Sequence, residues 1–116
     1  MGYHDCPLNR ESLGFCTWSL LHTMAAYYPD EPTLDQQNDI NQFFKLLGRV
    51  YPCEMCARDF AQLITFRPPV TSSQEALSDW LCGIHNQVNK KIGKTIFDCT
   101  ECNERWRDGW KDGSCD

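Results

Sequence analysis

Hydrophobic residues along this chain recur at helical spacing and almost never alternate, so its elements read as helices. Pro29, Pro32, Pro52 and Pro68-Pro69, with the glycines near the end, cut the sequence into helix-length pieces. The first runs from about Glu11 to Tyr28, with an aliphatic stripe of Leu13, Leu20, Leu21 and Met24. Trp18 and His22 stand four residues apart on a neighbouring face of the same piece. The second, about Thr33 to Val50, takes Thr33 as its N-cap and buries Ile40, Phe43, Phe44 and Leu47. The third starts at Pro52, a residue suited to a first helical position. It carries Cys53, Cys56, Phe60, Leu63 and Ile64, then stops before Pro68-Pro69. The fourth begins around Ser72-Ser73, spaces Leu77, Leu81, Ile84, Val88 and Ile92 along one stripe, and takes Gly93 as its C-cap. A shorter segment, Glu101 to Trp110, forms a last helix. These patterns predict an all-α fold, a four-helix bundle plus a short fifth helix.

Composition narrows the function classes. At 116 residues the chain is one domain, 1–116, with 1–9 expected as a mobile leader. With 41% hydrophobic and 12% aromatic residues it is not intrinsically disordered. A net charge of -5 gives it no basic footprint for nucleic acid. No apolar stretch approaches the roughly 18 residues a membrane span needs. The first residues carry no basic n-region or apolar h-region, and no Asn-x-Ser/Thr sequon occurs, so a secretory signal is not expected.

Cysteine changes the picture most, with 8 in so short a chain. That count fits an oxidising compartment or a metal-binding fold, and eight cysteines allow about 105 pairings. Cys53-Glu-Met-Cys56 is the most informative local motif. A Cys-x-x-Cys at a helix start puts a thiol near exposed amide N–H groups, which favour the nucleophilic thiolate. The two cysteines can close and reopen a small disulfide ring. The same motif is equally half of a zinc site, since Cys99-Thr-Glu-Cys102 is a second Cys-x-x-Cys able to complete four thiolate ligands. Against zinc stands a separation far wider than the usual 15–20-residue spacer.

The fourth helix adds a polar stripe of Cys82, His85, Asn86 and Asn89, followed by Lys90, Lys91 and Lys94. A solvated face whose lysines complement the helix dipole explains it blandly. The alternative is a pocket lining, with amide and imidazole groups for a heteroaromatic ring or ribose and lysines for a diphosphate. Trp18, His22 and Trp106 are available to stack on planar rings, consistent with a nucleotide cofactor.

Taken in order, Leu21-His-Thr-Met-Ala-Ala-Tyr-Tyr-Pro29, Tyr51-Pro-Cys-Glu-Met-Cys56, Trp80-Leu-Cys-Gly-Ile-His-Asn-Gln-Val-Asn89 and Glu104-Arg-Trp-Arg-Asp-Gly-Trp-Lys-Asp-Gly-Ser-Cys115 resemble the ERV/ALR FAD-linked sulfhydryl oxidases. The resemblance covers nearly the whole chain from Cys6. It implies an FAD-dependent thiol oxidase that makes disulfides in dithiol proteins of a disulfide relay, with oxygen or cytochrome c as electron acceptor. On the same ground Cys53 and Cys56 are the expected catalytic disulfide, Cys56 next to the flavin and Cys53 facing substrate. Expected FAD contacts are Arg10, Gly14, Trp18, His22, Tyr27, Cys82, His85, Asn86, Val88, Asn89, Lys91, Lys94, Arg105 and Trp106. The resemblance further implies a structural disulfide Cys82–Cys99 and a head-to-tail homodimer linked through Cys6 and Cys115. It also implies a location in the mitochondrial intermembrane space, with cytosolic or secreted forms as alternatives. Cys16 and Cys102 depart from the family pattern, either as an additional disulfide or as two separate thiols. Two other function classes remain beside the oxidase: a zinc-binding helical interaction module with no catalysis, and a disulfide-stapled growth-factor-like protein.

Overall fold

In a computed structural model describing residues 5–115, four helices carry the fold: α1 (Arg10–Ala26), α2 (Leu34–Val50), α3 (Glu54–Phe66) and α4 (Gln74–Ile92). A short helical segment, 99–108, follows, beginning as a tight 3-10 turn and ending as a wide π turn. Among the described residues there is no strand. The chain is therefore all-helical, a four-helix bundle with a short fifth helical piece.

Local chemistry sets the helix ends. Asn9, Thr33 and Ser73 each accept a hydrogen bond from a first-turn amide, and Thr33 forms a full capping box with Gln36. Tyr51 ends α2 in an extended conformation, which the following Pro52 demands of it. Cys53, not Pro52, begins α3, because its sulfur accepts the Cys56 amide and takes the N-cap role. Gly93 ends α4 at φ 78°, a left-handed conformation open to glycine.

Helix α1 packs on α4 and α2 on α3. Phe44, Leu77, Leu81, Ile84 and Cys82 are almost completely enclosed, and Leu21, Ala25, Tyr28, Ile64 and Trp80 complete the core. Helices α1 and α4 run antiparallel: Lys94 lies 3.9 Å from Glu11 at one end, and Gln74 donates to the Ala26 carbonyl at the other. The inward face of α1 matches the aliphatic stripe expected from sequence only in part: Leu21 is buried and Leu13 and Met24 half-buried, but Leu20 is outside. Leu21, His22, Ala25 and Ala26 point inward, whereas Phe15 and Leu20 stay 65% and 58% exposed. Residues 1–4 of the expected leader lie outside the described residues.

Candidate functional site

Cys53 and Cys56 are joined as a disulfide across the first turn of α3. The Cys53 sulfur accepts the Cys56 N–H at 3.4 Å, so the positive end of the helix bears directly on it. Both cysteines are half-buried, and Met55 between them is exposed. Cys56 and Phe60 stand at i and i+4 and share one face of α3. The Phe60 ring meets Trp18 of α1 edge-on at 6.4 Å. Phe60 thus links the disulfide, one turn away on α3, to a cluster of flat rings that begins at Trp18.

That cluster is built by three elements. Trp18 of α1 stacks on His85 of α4 with centroids 3.9 Å apart and planes at 4°. His22, one turn along α1, stacks on Trp106 of the C-terminal segment at 4.7 Å and 7°. His22 Nε2 and His85 Nδ1 are 2.8 Å apart, so one imidazole donates to the other. The Arg105 guanidinium lies 3.8 Å from the Trp106 ring centre, a cation–π contact.

Electrostatics keep both imidazoles neutral. Burial, then the neighbouring His85 and Arg105, pulls His22 down to about 3. Burial and then Lys94 pull His85 down to about 4. Neutral imidazoles, flat aromatic faces and nearby cations form a donor set suited to a planar heteroaromatic ring carrying phosphate.

The other expected contacts fall at different distances from this cluster. Asn86 Oδ1 accepts the Phe97 N–H at 3.0 Å and its Nδ2 donates to the Phe97 carbonyl at 2.9 Å, clamping the 94–98 segment on α4. Buried Asn89 donates to Asn86 at 3.4 Å, and its carbonyl accepts the Lys94 N–H. Lys91 reaches α3 and pairs with Asp59 at 3.2 Å. Val88 is half-buried and Arg10 exposed. Open space surrounds the Cβ position of Gly14. Tyr27 is exposed at the far end of α1.

The remaining cysteines sort by environment. Cys82 and Cys99 are joined, Cys82 at 1% exposure. With Cys53 closed on Cys56 and Cys99 closed on Cys82, the two Cys-x-x-Cys motifs do not meet as metal ligands. Among the described residues no cluster of His, Cys, Asp and Glu is arranged to hold a metal ion.

The Cys16–Cys102 disulfide is corrected: both are thiols, Cys16 exposed and Cys102 buried. Two residues before Trp18, Cys16 points to the opposite side of α1. Cys102 adjoins Asn103, which bonds Gln74 at the other end of the α1–α4 pair. Burial, then Asp79 and Asp98, pushes the Cys102 thiol up to about 11. Cys6 and Cys115 are exposed. Gly109, at φ 82°, turns the tail so that Cys115 packs over it, its Cβ 3.3 Å from where a Gly109 side chain would begin.

Sequence reasoning missed several positioning groups. Gln74 bonds Ala26, Ser78 and Asn103 together. Arg107 also reaches the Ala26 carbonyl, holding the Trp106 segment on α1. A glutamine in the first turn of a helix reads as a surface residue, so no local signal exposes that role. From sequence Phe60 is only one apolar residue of the third helix, and packing shows that it joins disulfide and ring cluster.

Known proteins agree with this geometry. Residues 15–107 match the Erv1/Alr family. The FAD-linked sulfhydryl oxidase ERV1 of Arabidopsis thaliana is 43% identical over 86% of this chain and 52% of its own length. The mitochondrial FAD-linked sulfhydryl oxidase ERV1 of Saccharomyces cerevisiae is 44% identical over 90% of this chain and 55% of its own. This chain thus spans about half the length of these curated relatives. A crystal structure of the FAD binding domain of Erv1 from Saccharomyces cerevisiae superposes with a TM-score of 0.87 at 43% identity, covering 90% of this chain and 100% of that one. On the match of sequence and fold together, the chain belongs to the Erv1/Alr family.

Proposed function

We propose that residues 1–116 form a single FAD-dependent thiol oxidase domain that makes disulfides in dithiol proteins. The observation that carries this reading is the disulfide Cys53–Cys56, one helical turn from Phe60, whose ring packs on Trp18 of a cluster formed with His22, His85 and Trp106. Relatives and a solved domain that bear FAD in their names support it.

Cys53 is the residue substrates attack. It caps the helix at the chain's turn from α2, whereas Cys56 shares its face with Phe60. A substrate thiolate bonds to the Cys53 sulfur while the Cys53–Cys56 bond breaks and Cys56 leaves as thiolate. The second substrate thiol gives its proton to solvent and attacks the mixed disulfide. The substrate departs oxidised and Cys53 leaves as thiolate, so two electrons have passed to the Cys53–Cys56 pair while the substrate's protons have gone to solvent.

The rings of Trp18, His22, His85 and Trp106 would flank FAD, with Cys82, Val88 and Gly14 as its lining. Asn86 and Asn89 hold the 94–98 edge in place, and Arg10, Tyr27, Lys91, Lys94 and Arg105 supply polar and cationic contacts. When bound, FAD supplies the two-electron acceptor that restores the Cys53–Cys56 disulfide and passes electrons to oxygen or cytochrome c. Phe60, one turn from Cys56, packs on Trp18 and so lies between Cys56 and the rings.

A head-to-tail homodimer belongs to the same reading. Exposed Phe15, Leu20 and Tyr27 on α1 and Leu34 and Val50 on α2 form an apolar exterior that a second copy would cover. Cys6 and Cys115 are exposed and would join across it. A mitochondrial location, in the intermembrane space, fits the mitochondrial names of relatives and a dithiol-oxidising role. Protein purified without chelator or added flavin is expected to be yellow, to release FAD on denaturation and to consume oxygen when given dithiothreitol. A folded, colourless protein that takes up no FAD and consumes no oxygen contradicts the reading. Non-reducing electrophoresis is expected to show a dimer that reductant converts to monomer.

A further inference from the structure

We propose that the groove between the end of α2 and the start of α3 docks the segment flanking the dithiol of a protein substrate. It favours substrates with a carboxylate beside the attacking cysteine. The inference rests on the oxidase reading and adds a substrate class to it.

The groove has a volume of about 390 Å³, and its lining includes Pro52 and Glu54, the two residues that flank Cys53. Its floor is made of small side chains. A Cβ on Gly48 would stand 3.2 Å from the Ala61 Cβ, so α2 and α3 pack closely there, and Ala57 is 6% exposed. An extended peptide can therefore lie along this floor toward Cys53, between the larger side chains of Tyr51, Arg49 and Arg58 that also line the groove.

Charge gives the groove its selectivity. Arg49 lines it and has no carboxylate partner among the described residues. Arg58 lines it too, and pairs with Glu54 at 3.6 Å with both side chains largely exposed. One of two positive charges thus remains uncompensated beside Cys53, in a chain of net charge -5. The negative end of α2 offsets part of the Arg49 charge, so the preference is modest. Its sign is still diagnostic. In solution a carboxylate raises the pKa of a neighbouring thiol and a lysine lowers it, so intrinsic reactivity favours a lysine-flanked substrate. A preference for the acidic one must come from the groove.

Oxygen uptake by the purified oxidase tests this with three substrates: dithiothreitol, a dithiol peptide with Glu beside each cysteine, and the same peptide with Lys there. The Glu peptide is expected to have the higher kcat/KM, by about threefold at low ionic strength, with the advantage vanishing in high salt. Arg49→Glu is expected to invert the order of the two peptides, and Arg49→Gln to abolish the preference should the first variant not fold. Equal rates for the two peptides, a faster Lys peptide, or a Glu preference that survives Arg49 substitution overturns the groove while dithiothreitol turnover leaves the oxidase reading standing. Absence of turnover with dithiothreitol overturns both.

Discussion

Two disulfides in this small bundle have the same chemistry and opposite settings. Cys82–Cys99 joins residues 17 apart, with Cys82 inside the core and the Cys99 sulfur 3.4 Å from the Asn86 amide that holds Phe97. Cys53–Cys56 joins residues 3 apart at a helix cap, half-buried, with exposed Met55 between the two cysteines and an open groove alongside. The first closes a long loop with Cys82 enclosed, so no thiolate can reach that sulfur, although Cys99 is half-buried. The second closes a short ring at the positive end of a helix, where an incoming thiolate has access and the departing one is stabilised. Access and local field, not the number of cysteines, separate staple from reagent.

Removing each pair should separate stability from activity. Replacing Cys82 and Cys99 by Ala is expected to cost about 3 kcal/mol of stability, or about 10 °C in melting temperature. Replacing Cys53 and Cys56 by Ser is expected to cost about 1 to 2 kcal/mol and to abolish dithiol oxidation. Thermal melts and oxygen uptake on both variants check this. A Cys53/Cys56 variant that melts lower than the Cys82/Cys99 variant breaks the comparison.

Acid probes the region between the two bonds. The folded chain holds His22 at about 3 and His85 at about 4, against 6.5 for an unperturbed histidine. As pH falls below 6.5 the unfolded chain takes up protons that the folded one refuses. The stability contributed by neutral imidazoles is therefore complete above that pH and is lost on the way down to about 4 for His85 and about 3 for His22. The loss approaches about 1.4 kcal/mol per histidine per pH unit in flavin-free protein. Urea midpoints between pH 7 and 5 read it, and a flat profile contradicts the buried neutral pair. A smaller effect follows from Asn86→Ala, which strands the Phe97 N–H and carbonyl and is expected to cost about 1.5 kcal/mol in the same measurement. Smallest is Cys102→Val, expected within about 1 kcal/mol of wild type because Cys102 acts as a small apolar side chain. Native alkylation should label Cys16 and spare Cys102.

The bundle was largely legible because its helices carry their own punctuation. Thr33, Ser73 and Gly93 mark ends by local hydrogen bonding and backbone freedom, which need no tertiary information. The phase of α1 was not legible, because apolar residues surround that helix and period alone does not say which face turns inward. Trp18 and His22, read as a neighbouring face, are packed inward, while Leu20 is outside. A Cys16–Cys102 bond follows from sequence only if both cysteines sit at the flavin-binding end, whereas the antiparallel run of α1 and α4 keeps them apart as two separate thiols. Asn86 was expected to contact a cofactor and also clamps Phe97, a contact that arises only when the chain folds back after Gly93. Long-range pairing of this kind depends on packing that spacing does not encode.

The central claim is that electrons taken by Cys53 and Cys56 leave through Cys56 to a flavin held beside Trp18 and His85. Anaerobic addition of dithiothreitol to the yellow protein, followed by absorbance, tests it most directly. Wild type is expected to bleach, and Cys56→Ser to keep its flavin and stay yellow. A Cys56→Ser protein that bleaches as fast as wild type contradicts the account.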